Sequence, residues 1–337
     1  TDENKVYTIA GTVTGSTGAA IGGSGAYSEL AKNEVKAALN TVNITTGVSG
    51  NINIGAEETS KFYTIGVGAG GSSKVAVQGA TSISQVNKIV NASMENTNIN
   101  SEEDTEERKT DLNIIAQSSG EITSSASVVG GAGAVAAGAG VAVNQIKQNT
   151  DATLNGGEQN LENALIKAKS LANITTIGIG GGIGGTAGVA GSIAVNLINN
   201  NTKTTMSNNT LNANGSVGVI AKSDDIIANY AGTLAGGGTA AIGTSVSVNQ
   251  ISGDTLVTLN NANVTANGKG NGIEVDSKIE NGSIIDSVID GDKTLIGNDL
   301  DKDRKEETIK GIVVDSSATH TLKSVLANGG VAGTAAV

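Results

Sequence analysis

Ala190-Gly-Ser-Ile-Ala-Val-Asn196-Leu-Ile198 is the stretch on which the reading of the fold turns. It returns as Gly138-Ala-Gly-Val-Ala-Val-Asn144-Gln-Ile146 and as Gly243-Thr-Ser-Val-Ser-Val-Asn249-Gln-Ile251. The three asparagines stand 52 and 53 residues apart. Working outward, the agreement continues without gaps. Gln117, Lys169 and Lys222 lie 27 residues before each Asn, each inside an Ala-x-Ser triplet. Thr150, Thr202 and Thr255 follow six residues after it, and Leu154, Met206 and Leu259 ten after it. Self-similarity at one fixed period is the mark of a stacked structural unit. Weaker copies are read at Val86-Asn87-Lys88-Ile89 and at Ser28-Glu29-Leu30, with Glu29 in the Asn place.

Inside each unit the period is two. Val141/Val143, Ile193/Val195 and Val246/Val248 alternate with small or polar residues, the pattern of a strand with one face inward. Asn155-Gly156, Asn214-Gly215, Asn267-Gly268 and Asn281-Gly282 punctuate it as turns. Ser28 to Asn40 and Glu158 to Asn173 could also be drawn as helices, but the repeat aligns the second with a strand, and strand is preferred for both. The sequence therefore predicts an all-β chain, a right-handed parallel β-helix over residues 1–337, with repeats of about 52–53 residues. A unit holds about four strands of ordinary length, and two or three coils per unit are expected. Asn144, Asn196 and Asn249 should stack as a structural ladder; an inward or turn Asn can bridge successive coils through its amide, and each amide is expected to bond to backbone at a coil corner. Glycine-rich runs such as Gly180 to Gly188 should make one side of the coil flat and thin. Both ends read as open, those of an uncapped fragment of a longer array.

Composition narrows the function. Aromatic residues make up 1% of the chain, with no Trp, and there are 48 glycines. The core must be built from small aliphatic side chains. A net charge of −11 disfavours nucleic acid and anionic membrane surfaces as partners. With no Cys and one His, His320, neither a thiolate nor a His-based zinc site can form, and a Ser-His pair has a single candidate base. His320 reads as a surface or cross-strand residue. Gly180-x-Gly182-x-x-Gly185 matches a dinucleotide fingerprint only on paper, because no βαβ unit follows it. Gly238 to Gly243-Thr-Ser lacks the lysine of a phosphate loop. Asp299-Leu-Asp301-Lys-Asp303 opens like a calcium loop, but Arg304 and Lys310 occupy the places of its Gly and Glu. No catalytic, cofactor or metal residue is assigned, and no enzyme activity is expected.

Charge is concentrated in two inserts near 101–111 and 279–310, which read as solvated loops. Three long segments carry none: Ser127–Ile146, Ile177–Ile198 and Ile226–Gly253. Their many Gly, Ser, Thr and Asn make them poor membrane spans, and none is expected.

Glycine/alanine runs ending in Val-Ala-Val-Asn-x-Ile, followed by Asn-Thr and a Val-x-Ala-Asn-Gly turn, resemble the repeats of large type V secreted exoproteins. These include autotransporter passengers and two-partner filamentous haemagglutinins, and the look is nearest to fusobacterial adhesins and leukotoxin. The likeness covers roughly residues 50–337. It implies a secreted or outer membrane-anchored, cell-surface virulence protein of a Gram-negative bacterium, meeting a host-cell or bacterial surface receptor. It brings no catalytic residues. An adhesin segment is the favoured expectation, and a segment of a cytotoxin acting on host-cell membranes is the alternative. Polar faces with acidic loops would favour the first, and an uncharged exposed face the second.

Overall fold

The computed structural model describes residues 1–46, 49–101, 109–277, 279–280, 283–284 and 305–336. The described chain is all-β, without a helix, and its main sheets are parallel stacks in which each strand pairs with its counterpart one repeat away. The first sheet runs through Asp2–Ser16, Ser49–Ser72, Lys109–Ala132, Asn163–Gly184, Val217–Gly237 and Ile312–Ala332. The second runs through Ala19–Asn40, Val75–Glu95, Val135–Asn155, Ala187–Ser207 and Ala240–Ser252, with Thr255–Asn260 continuing beside Ala187–Ser207. The third is a column of four-residue strands: Asn43–Thr46, Asn98–Ser101, Glu158–Leu161, Thr210–Ala213 and Asn263–Ala266. This is an open parallel β-helix.

One repeat is one coil, which corrects the expected two or three coils per unit. In place of four ordinary strands, each coil has two strands of 21–24 residues in its middle turns and one of four. A 22-residue strand is about 70 Å long. Strands this long escape notice because the turn between them, Gly185-Thr186, lies inside a glycine-rich run that offers no single break. Both segments with helical spacing are strands.

The register is the repeat made physical. Asn196 pairs with Asn144 and Asn249, Lys169 with Gln117 and Lys222, Met206 with Leu154. The earlier coils need correction, however. Ser84 and Ser28, not Asn87 and Glu29, occupy the Asn column; Asn87 is in register with Lys147 and Glu29 with Gln85. The first coil carries a register shift between Leu30 and Asn33.

In cross-section the coil is a wedge. At the thick end the three sheets enclose Leu, Ile and Met, among them Leu112, Ile166, Leu154, Met206 and Leu211. Further along, Phe62, Ile122, Ile174 and Ile227 meet Val86, Ile146 and Ile198 across the stack. At the thin end the interior narrows to small side chains, and in the middle coil it narrows to glycine, although Val128 and Thr233 fill the column of Gly180 in the coils on either side. A Cβ on Gly180 would lie 2.0 Å from the Gly191 carbonyl oxygen of the opposing sheet. Backbone packs on backbone there, and only glycine permits it.

The corner between the second and third sheets has its own chemistry. Thr41, Asn96, Gly156, Asn208 and Asn261 all take positive φ, between 47° and 73°. Asn and Gly adopt this left-handed turn at lower cost than other residues, and only Thr41 in the first coil departs from them.

The two charged inserts fall largely outside the described residues. Both interrupt the same corner, between a third-sheet strand and the next first-sheet strand. The flanks of the longer insert are more than loop. Ile273–Ser277 pairs antiparallel with Lys305–Ile309, and Ile273 and Ile309 pack with Ile220, Leu165 and Val313 of the first sheet. Ile273–Ser277 and Ile312–Ala332, alike in sequence, thus belong to different sheets.

Candidate functional site

Two polar seams run through the apolar interior parallel to the stack. The first holds the asparagine ladder. Asn144 and Asn196 are fully buried in mid-strand, not at a corner. Asn144 Nδ2 donates to Asn196 Oδ1 at 2.9 Å, and Asn196 Nδ2 donates to Asn249 Oδ1 at 2.8 Å. Thr176 reaches across from the first sheet: its hydroxyl donates to Asn196 Oδ1 at 2.6 Å and accepts from Asn144 Nδ2 at 2.8 Å. The amides therefore bond to one another and to a facing hydroxyl, where backbone partners were expected. A parallel in-register stack places identical side chains about 4.8 Å apart, within reach of amide-to-amide bonds. In the lower coils hydroxyls replace the amides: Ser28 with Thr8 at 2.7 Å and Ser84 with Thr64 at 2.8 Å.

The second seam holds a buried ion pair. Lys88 Nζ lies 2.5 Å from Glu58 Oε2, and both side chains are 0% exposed. Ser60 donates to the other oxygen of Glu58. Burial pulls the Lys88 ammonium down to about 8, against the opposing pull of Glu58. In the next coil the same two columns hold Ser118 and Gln148, bonded at 3.3 Å. Further up, Asn200 donates to Ser223 at 2.9 Å and to Asp225 at 2.6 Å. The sequence reading missed the Glu58–Lys88 pair. Lys88 at an inward position of the alternation was the available signal.

His320 is half-exposed and sits in register with Asp225, its Nδ1 3.0 Å from Asp225 Oδ2. Burial raises the Asp225 carboxyl above its usual range, while Asn200, His320 and Ser223 draw it back. The pair is a cross-strand contact; Ser223 bonds to Asp225 at 3.3 Å, so the three groups do not line up as nucleophile, base and orienter. Gly180 and Gly182 face the opposing backbone and Gly185 packs on Gly133 of the coil below, leaving no cradle for a phosphate there. Gly243 lies in a second-sheet strand. Asp299, Asp301, Asp303 and Arg304 lie outside the described residues. Among the described residues no three acidic or His groups converge as a metal site.

Outside, the coil divides into two electrical zones. The thick half carries charge, including a groove of about 230 Å³ across the first sheet lined by Lys61, Glu121, Lys169 and Asp224. Lys61 and Glu121 lie 3.4 Å apart. The thin half is uncharged on both faces. Ser127–Ile146, Ile177–Ile198 and Ile226–Gly253 are strand–turn–strand segments that wrap this edge. Among the described residues no helix is long and apolar enough to cross a membrane. Compared with family models, with curated proteins and with solved structures, the chain has no match.

Proposed function

We propose that this chain is a structural and binding segment of a secreted or surface-exposed bacterial adhesin, extending from the cell and meeting host or microbial surface receptors. The observation that carries the reading is the placement of variation. Apart from the shift between Leu30 and Asn33 in the first coil, the long strands pair in register, while both charged inserts interrupt one corner. A regular stack whose charged inserts share one corner suits a rigid carrier of contact loops. The resemblance of its repeats to type V exoproteins supports a location outside a Gram-negative cell, and the role needs no catalytic residue. The test is binding of the chain to host cells beside a variant lacking residues 102–108 and 281–304. Binding should fall sharply in the variant while circular dichroism stays that of a β protein. Equal binding by both removes this reading.

The uncharged outer face of the thin half favours a second reading, a segment of a cytotoxin acting on host-cell membranes. Host-cell viability and dye release from vesicles test it, and intact cells with retained dye remove it.

A further inference from the structure

We infer that the thin edge of the stack is a lipid-facing surface, which seats edge-first in an electrically neutral bilayer. The inference rests on the second reading for the presence of a membrane, and on the coil's own geometry for the rest.

The zone is defined by charge. Residues 6–28, 122–146, 170–202 and 226–253 contain no Asp, Glu, Lys or Arg, and 62–87 contain only Lys74. In every coil this run covers the end of the first-sheet strand, the two-residue turn and the start of the second-sheet strand. The surface thus wraps both faces and the edge between them, with Lys74 in one turn as its single charge among the described residues. Aliphatic side chains stand out on each face: Val129, Ile179 and Leu234 on the first sheet, Val135, Val189 and Ile242 on the second. They are 39–58% exposed. Hydroxyls among them are partly satisfied, as where Ser125 and Ser127 bond at 3.1 Å.

A second copy packed against one face would leave the other face and the edge in water. A medium that surrounds the edge matches the whole zone, and a bilayer is such a medium. Backbone groups must be satisfied before lipid can meet them. At the turns they are: Gly133 N–H donates to the Ser72 carbonyl, Gly185 to Ala132 and Gly238 to Gly185. From Ile177 to Gly184 the strand is about 26 Å long, deep enough to pass the headgroups and enter the acyl chains.

The tyrosines mark the boundary. All four point outward where the charged half gives way to the uncharged half. Tyr7 and Tyr63 follow Lys5 and Lys61 by two residues and stack with centroids 4.9 Å apart. Tyr27 precedes Glu29 by two, and the Tyr230 ring has Lys323 Nζ 5.9 Å from its centroid. Rings with one polar tip settle at the level of the headgroups. The net charge of −11 selects neutral over anionic lipid.

The experiment is flotation of the whole chain with phosphatidylcholine vesicles and with vesicles also containing phosphatidylserine. The chain should float with the first and less with the second. The double variant Ile179→Lys/Val189→Lys should lower partitioning at least about tenfold with unchanged circular dichroism, since lysine on a lipid-facing sheet is strongly disfavoured. With no Trp in the chain, tyrosine emission should be quenched by lipids brominated in the upper acyl chain. No flotation with neutral vesicles overturns the inference. So does flotation that both lysines leave intact, or lysines that abolish only self-association in sedimentation. Bound vesicles that keep their dye beside living cells remove the cytotoxin and leave the edge assigned. Dying cells with no vesicle binding do the reverse.

Discussion

Asn196→Leu tests the interior ladder. The side chain is fully buried and makes three hydrogen bonds: from Asn144 at 2.9 Å, from Thr176 at 2.6 Å and to Asn249 at 2.8 Å. Each buried hydrogen bond contributes about 1 kcal/mol net, so the three sum to about 3 kcal/mol. Leucine returns about 1 kcal/mol through its added apolar carbon. Asn144 keeps its bond to Thr176, but the Asn249 carbonyl oxygen loses its donor. The expected net loss is about 2 kcal/mol. Asn249→Leu is the internal control. That residue is only half-buried, accepts from Asn196 and donates to the hydroxyl of Ser247, so its loss should be about 1 kcal/mol or less. Denaturant melts give the magnitudes. Coils interact mainly with neighbours, so the loss can appear as local opening, and hydrogen exchange over residues 190–200 must be read beside the melt. If Asn196→Leu stays within about 0.5 kcal/mol of the parent and protection there is unchanged, the ladder does not stabilise the stack. An equal loss at Asn249 would show that burial is not the cause.

Lys88→Met strands the buried Glu58 carboxylate and should cost about 3–5 kcal/mol in melts, with most of it restored when Glu58→Gln is added. The folded Lys88 sits at about 8, below its ordinary 10.5, so the unfolded chain holds more protons between those values. Its contribution to stability should therefore rise as pH climbs from about 8 to 10.5, read as melts of the parent against the Glu58→Gln/Lys88→Met variant. Gly180→Val places carbon against the Gly191 carbonyl and should force the sheets apart, at about 3 kcal/mol or more, with loss of exchange protection confined to the thin end. Asn208→Ala, at φ 52°, should cost about 1 kcal/mol, while Asn208→Gly should be nearly neutral in the same melts.

The period of 52–53, the alternation of Val141/Val143 and Ile193/Val195, and the lack of Cys and of more than one His were legible in the chain alone. They determined strands, parallel stacking in register and a thin glycine side, because in-register pairing simply repeats what the sequence repeats. Alternation also says which residues point inward. It does not say which strand they point toward. That Thr176 completes the Asn144–Asn196 ladder, that Lys88 finds Glu58, and that Ser84 rather than Asn87 belongs to the Asn column depends on how two sheets face each other across the coil. The number of coils per repeat was likewise hidden, since a turn at Gly185-Thr186 inside a glycine run looks like the strand around it. Corner asparagines such as Asn208 and ladder asparagines such as Asn196 are the same residue type in similar surroundings of sequence. Only the folded coil separates them, by giving one a left-handed backbone in water and the other a dry interior with an amide above and below.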